Sequence, residues 1–302
     1  MPQHVVITGG ASGLGLGAAR RFLALGFSVT LLDVNEAAGR LVLEQLRPLL
    51  QADAQLAFER VDLADPASIR AVADRMKLQG RAIDVLVNNA GIYPPSLRTL
   101  SKEGRELTFA IAHLGHFRLT HALWPLLTAA PAARVVHVSS LVQRRSTIDL
   151  DDLDFNKRYM PIKAYGQAKL SCLLFALELQ RRLSAAHSNV SSYAVHPGVV
   201  RTPLGRNRKR SAQDSAWQRF SSWVLSNGIG NFGQSPEQGA ECIIVAATST
   251  EFAPGSFIGP TRWMDSFGKP KQVSLGSAAQ SAELARGLWE KTEALTGIRW
   301  TF

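Results

Sequence analysis

The order of local elements predicts an α/β fold, a doubly wound parallel sheet of about seven strands with helices on both faces. Two observations carry that expectation. Short runs rich in Val, Ile and Leu alternate with helical stretches four times before Gly91, joined by short links. The first of these runs also opens directly into a glycine turn that starts a helix.

Val5-Val6-Ile7-Thr8 reads as a buried strand and runs into Gly9-Gly10-Ala11-Ser12-Gly13-Leu14-Gly15. Ala18, Ala19, Phe22, Leu23 and Leu25 then recur at helical spacing until Gly26. Glycine permits the tight turn and lets the backbone approach a pyrophosphate, while the helix start offers unpaired N–H groups and the positive end of its dipole. Strand, glycine turn and helix in this order point to a dinucleotide, against a plain tight turn as the alternative.

The second strand, Ser28 to Leu32, ends in Asp33, placed to accept from the adenosine ribose hydroxyls and to repel a 2′-phosphate. Val34 and Asn35 follow it rather than a basic residue, which favours NAD over NADP. Asp33 could also cap the next helix, with Glu36 completing a capping box, and both roles can coexist. That helix runs to about Leu50. Ala57 to Val61 is a third strand ending in Asp62-Leu63, and Pro66 starts a helix at its first position. Ile83 to Val87 is a fourth, ending in Asn88-Asn89-Ala90-Gly91, whose small residues leave room for a ligand.

A long helix is expected over roughly Lys102 to Leu127. His113 and His116 on it lack a third metal ligand nearby, so packing is the expected role and no metal is predicted. Arg134 to Val138 is a fifth strand ending in Ser139-Ser140, where a hydroxyl could donate to a carbonyl. The segment from Gln143 to Pro161 carries four Asp residues without the Gly and terminal Glu of a calcium loop, and reads as a solvated insertion. On the following helix Tyr165 and Lys169 lie one turn apart on one face. An ammonium beside a phenol favours the phenolate, so such a pair can exchange a proton with an alcohol while a cofactor handles hydride. Leu170, Leu173, Leu174, Leu177 and Leu183 form that helix's core stripe. Ser192 to Val195 is a sixth strand leading into the rigid turn His196-Pro197-Gly198.

The 302 residues are 46% hydrophobic and 19% charged, ordinary globular composition. No apolar run reaches the roughly 18–20 residues of a membrane span, and the start of the chain reads as neither basic leader nor cleavage site, so a cytoplasmic protein is expected. Cys172 and Cys242 lie in apolar helical surroundings and read as buried free thiols. The net charge of +10 is mostly dispersed; its one dense run, Arg206 to Arg210, has no helix-turn-helix or aromatic interleaving around it. A nucleic-acid partner is therefore not expected.

Taken together, Thr8-Gly9 with Gly13 and Gly15, Asp33, Asp62-Leu63, Asn88 to Gly91, Ser140, Tyr165 with Lys169, and His196-Pro197-Gly198 resemble the short-chain dehydrogenase/reductase family over nearly the whole chain. Leu114-Gly115-His116-Phe117, the long Ser140-to-Tyr165 insertion and the Leu288-Trp289 ending resemble its retinol-dehydrogenase-like and protochlorophyllide-reductase-like branch. The resemblance implies a single-domain Rossmann fold over 1–302 that interconverts an alcohol and a ketone or aldehyde, on a bulky apolar small molecule, as a homo-oligomer. It makes Tyr165 the acid/base, Lys169 the group that binds the nicotinamide ribose and lowers the phenol's pKa, and Ser140 rather than Ser139 the orienting hydroxyl. Thr8, Gly9, Ser12, Gly13, Leu14, Gly15, Asp33, Asp62, Leu63, Asn89, Ala90, Gly91, Pro197, Val199 and Thr202 would line the cofactor, with Val199 and Thr202 at the carboxamide.

One position departs. Ala112 stands where the family usually has Asn, on a helix whose carbonyl holds a proton-relaying water. Ala retains that carbonyl, so the relay is expected to survive, with packing the default reading of His113. The departure also keeps open a catalytically weak, cofactor-sensing protein, against which Ser140, Tyr165 and Lys169 argue.

A substrate lid is expected over 204–235, where Trp217, Phe220, Trp223 and Val224 recur at helical spacing and Gly228, Gly230 and Gly233 could hinge. The aromatics could close over substrate, pack in the core, or join Arg206 to Arg210 in peripheral membrane contact. Ser256 to Gly259 reads as the last strand, and 277–302 as a terminal helix, around Ala282 to Leu295, and tail.

Overall fold

A computed structural model describes residues 2–51, 53–201 and 233–302. The glycine turn, the terminal helix and every expected site residue except Thr202 fall within that range. Thr202, the basic run at Arg206 to Arg210, the stripe from Trp217 to Val224, and Gly228 and Gly230 lie outside it.

Eight strands form one sheet in the order β3-β2-β1-β4-β5-β6-β7-β8. They are β1 (His4–Thr8), β2 (Ser28–Asp33), β3 (Leu56–Arg60), β4 (Val85–Asn88), β5 (Arg134–Val138), β6 (Ser191–Val195), β7 (Phe257–Arg262) and β8 (Phe267–Gln272). The first seven are parallel, as the alternation of strand and helix predicts, and β8 returns antiparallel along β7. The strand order reverses at the β1–β4 pair, so a crevice opens there at the carboxyl ends of the strands.

The main helices are α1 (Gly13–Ala24), α2 (Glu36–Leu46), α3 (Pro66–Gln79), a composite α4 over 107–122, α5 (Trp124–Thr128), α6 (Pro161–Ala185), α7 (Glu241–Thr248) and α8 (Ala282–Thr296). Alternate strand side chains face opposite layers. Val5, Ile7, Val85, Val87, Val136 and Val138 pack with residues of α1, α2 and α7. Val6, Leu86 and Val135 pack with residues of α3, α4, α6 and α8. Among the described residues no helix is long and apolar enough to cross a membrane. Cys172 and Cys242 are buried free thiols, as expected from their surroundings.

α4 differs from the uninterrupted helix expected over 102–127. It starts at Leu107, after Glu106 bridges back to Leu100, and Glu106 caps it through Phe109 N. It consists of an α turn (Leu107–Phe109), a π segment (Ala110–Gly115) and an α segment (His116–Ala122). Gly115 lets the π segment press onto Leu63; an added Cβ would meet the Leu63 carbonyl and side chain. The insertion after Ser140 is also not simply solvated. Asp152 and Asp154 are buried. Asp154 accepts from Glu106 N at 2.9 Å and pairs with Arg105 at 2.8 Å, so its carboxylate fixes the start of α4.

Candidate active site

The glycine turn sits at the carboxyl edge because β1 delivers it there. Gly9 has φ +65, and a side chain there would crowd Asn89 and Ala90. One on Gly15 would run into the Gly9 carbonyl. Ser12 precedes α1 in extended conformation and makes no side-chain cap bond, so Gly13, Leu14 and Gly15 open the helix with donors aimed at the crevice. Asp33 ends β2, and its two oxygens accept from Ala11 N at 3.1 Å and Asn35 N at 3.0 Å. Each oxygen keeps a further lone pair for a ribose hydroxyl. The α2 cap belongs to Asn35, which accepts from Ala38 N at 3.0 Å, so Asp33 is not the helix cap considered from sequence. Asp62 tightens its own loop by accepting from Ala64 N, and Leu63 is buried beneath Gly115.

Thr8 joins β1 to the β4 end. Its hydroxyl oxygen accepts from Asn89 N at 2.9 Å and Ala90 N at 3.0 Å, and Asn89 Nδ2 donates to the Thr8 carbonyl at 2.8 Å. The partner of the hydroxyl proton follows from His116. His116 Nδ1 lies 2.9 Å from the Ala112 carbonyl, which can only accept, so Nδ1 carries the proton. Nε2 is then a bare acceptor, and the Thr8 hydroxyl donates to it at 2.8 Å. Burial pushes the His116 pKa down to about 4, with Lys169 adding to the effect and the bond to Ala112 opposing it. The ring is therefore neutral at pH 7. His116 is thus a polar strut between α4 and the Asn89–Gly91 loop, a role beyond the packing expected for it. The available signal was a polar residue placed between Leu114 and Phe117 on a face that must be buried. His113 does pack as expected: it lies among Phe109, Phe117 and Phe175, and its Nε2 meets Thr292 at 2.8 Å on α8, away from the crevice.

The ends of β5 and α6 are held by a reciprocal pair of bonds. Ser139 Oγ donates to the Lys169 carbonyl at 2.7 Å, and Lys169 Nζ donates to the Val138 carbonyl at 3.0 Å. The hydroxyl of Ser139 is therefore committed. Among the described residues that of Ser140 only accepts from Val142 N, at a long 3.5 Å, which leaves its proton available. Lys169 is buried, and Gly91 faces its ammonium. Tyr165 is half-buried, with its ring 5.5 Å from that of Tyr93.

The Ala112 carbonyl differs from the expectation of a water-bearing group. It accepts from His116 Nδ1 and from Cys172 Sγ at 3.2 Å, and burial holds that thiol protonated by raising its pKa. The Ala112 methyl packs against Ala168 and Cys172. Two protein donors thus occupy the oxygen that the resemblance assigns to a water.

At the far side of the crevice, Gly198 has φ +72 and its N donates to His196 Nδ1 at 3.3 Å. Val199 N donates to the Ser266 carbonyl at 3.1 Å, and Gln234 Nε2 donates to that same carbonyl at 3.0 Å and to the Pro197 carbonyl at 3.1 Å. Among the described residues no three His, Cys, Asp or Glu side chains gather to hold a metal ion.

Known proteins resemble this chain over most of its length. The short chain dehydrogenase family profile matches residues 3–213. Human retinol dehydrogenase 14 is 34% identical over 98% of this chain and 87% of its own length. Mouse polyprenol dehydrogenase is 34% identical over 97% of this chain and 83% of its own. Among solved structures, an uncharacterized protein from Mycobacterium paratuberculosis is 32% identical and superposes with a TM-score of 0.77 over 100% of this chain and 97% of that one. A short chain dehydrogenase/reductase from Burkholderia phymatum in complex with NAD has the same fold, with a TM-score of 0.65 at 24% identity over 81% of this chain and 85% of that one. With a profile covering most of its length and relatives of this similarity, the chain belongs to the short-chain dehydrogenase family.

Proposed function

We propose that this protein is an NAD-dependent oxidoreductase interconverting a bulky apolar alcohol with its ketone or aldehyde. The observation that carries the reading is the β5–α6 clasp. It commits Ser139, leaves the Ser140 proton available and buries Lys169 one turn from Tyr165, all at the edge where α1 opens with uncapped donors. The donor-rich start of α1 and the carboxylate of Asp33 fit a dinucleotide, held further by Asn89, Ala90, Gly91, Pro197 and Val199, while buried Thr8 fixes the Asn89–Ala90 backbone from beneath. Bound there, the nicotinamide supplies a hydride acceptor or donor. The chain's own residues do the rest. Ser140 donates to the substrate oxygen and holds it toward Tyr165. The Tyr165 hydroxyl exchanges a proton with that oxygen, and the Lys169 ammonium stabilises the phenolate between exchanges. Apolar substrates are supported by the names of the relatives, which act on retinol or polyprenol.

Tyr165→Phe tests the central role. Turnover of a long-chain isoprenoid alcohol should fall by about three orders of magnitude or more, while NADH binding, followed by fluorescence, stays within about twofold. Undiminished turnover removes Tyr165 from the chemistry. Running the wild type with both cofactors tests Asp33: a higher kcat/KM with NADP would overturn the assignment of NAD.

A further inference from the structure

We propose that the β7–β8 turn is a lipid-docking tip, which inserts Trp263 and Met264 into an anionic membrane surface beside the mouth of the active site. The turn has an unusual construction. Trp263, Met264 and Asp265 are consecutive non-glycine residues with φ of 51, 51 and 61. Bulky side chains avoid this left-handed region, so three in succession need outside support. That support is visible. Ser266 N donates to the carbonyls of Arg262 at 3.0 Å and Trp263 at 3.1 Å, Asp265 forms an ion pair with Arg144, and the Ser266 carbonyl receives Val199 N and Gln234 Nε2. Against these ties, the two apolar side chains are 83% and 88% exposed.

Topology places the tip. β7 runs parallel to β6, so its end at Arg262 lies on the carboxyl edge of the sheet, with Ser140 and the glycine turn. The ties from the turn confirm the location: Arg144 lies on the short helix that Ser140 caps, and Val199 follows the His196-Pro197-Gly198 turn.

Charge selects the occupant. Arg262, Lys269 and Lys271 on the flanking strands are exposed and form no ion pair among the described residues, whereas Asp265, the one acid in the sequence of these two strands and their turn, pairs with Arg144. An apolar tip flanked by exposed cations suits a bilayer surface, where Trp sits at headgroup level and basic side chains meet anionic headgroups. A second copy of the chain is a poorer fit. β8 is the sheet edge, and Lys269, Pro270 and Lys271 along it discourage strand addition. Two side chains at a turn also offer far less than the area of a stable protein interface. Docking here would present the crevice to alcohols dissolved in the bilayer. That last link rests on the proposed substrate class, while docking itself is measured without turnover.

The test is co-sedimentation of the full chain with vesicles of phosphatidylcholine alone and of phosphatidylcholine mixed with phosphatidylserine, across a salt series. The wild type should pellet with the mixed vesicles and be released by salt. Trp263→Ser/Met264→Ser should weaken that binding by about tenfold or more, since both side chains lose their buried apolar area. Its melting temperature and turnover of a water-soluble alcohol should be preserved. Lys269→Ser/Lys271→Ser provides a second reading on an exposed strand: it should bind the mixed vesicles more weakly and respond less steeply to salt. A wild type that does not pellet, or a double variant that pellets like wild type, overturns the proposal. So does a double variant that converts a dimer to a monomer in sedimentation velocity while vesicle binding is unchanged, because the tip would then be a protein contact. Loss of vesicle binding with intact turnover, or the reverse in Tyr165→Phe, separates this inference from the proposed chemistry.

Discussion

Acid should unfold this protein through its buried histidines. Burial pushes His4, His116 and His196 down to about 4 and His113 to about 3, and holds His137 well below its ordinary value. Each is neutral in the folded chain, with fixed partners: His4 meets the Ala82 carbonyl and Thr30, His113 meets Thr292, and His116 meets Ala112 and Thr8. In the unfolded chain each would titrate near its ordinary value of about 6.5. Between the two values the unfolded state binds more protons than the folded one, so stability rises with pH there. The contribution of these groups is complete above about pH 6.5 and is lost as pH falls toward about 4. For a group displaced from 6.5 to about 4, moving from neutral to about pH 5 costs about 2 kcal/mol. Several such groups together rival the whole stability of an ordinary domain, about 5–15 kcal/mol. Urea unfolding followed by circular dichroism should therefore show a midpoint that holds from about pH 8 to 7 and collapses on the way to pH 5. A midpoint unchanged at pH 5 would refute the reasoning, because the imidazoles would then have to be accessible and free to charge in the native state.

Two further substitutions probe the site's supports. His116→Phe removes the acceptor of the Thr8 hydroxyl, which can turn to the Val87 carbonyl at 3.2 Å, while Cys172 still serves Ala112. The expected loss is about 1–2 kcal/mol in denaturant titrations, with NADH affinity weakened more than kcat as the Asn89–Gly91 loop loosens; an unchanged Kd would make the strut dispensable. Ala112→Asn forces a larger polar side chain between Ala168 and Cys172, and should cost about 1–3 kcal/mol, read as a lower Tm. A gain in both stability and turnover would show instead that the carbonyl has room for a water.

What was legible in the sequence was what repeats or what only one residue type can do. β1, β4 and β5 are short apolar runs buried on both faces, and period and composition identify them directly. The glycines at 9 and 15 announce close backbone approaches that any side chain would obstruct. β8 left no such trace: Phe-Gly-Lys-Pro-Lys-Gln is mostly exposed at an edge, so neither alternation nor burial marks it. The same limit hid the Asp154 clamp and the His116 strut. In both, a polar residue is buried because a partner distant in sequence satisfies it, and local pattern carries no record of that partner. The π segment escaped for a related reason, since its cause is tertiary contact at Gly115 with Leu63.

The clasp between β5 and α6 has a consequence for how the site spends its orientation. One bond runs from strand to helix and the other from helix to strand, at adjacent positions, so the helix cannot roll about its axis without breaking both. The azimuth of the phenol one turn upstream is thereby fixed when the chain folds. An arriving alcohol meets an acid already pointed, and the freezing of that rotation need not be taken from the energy of its own binding.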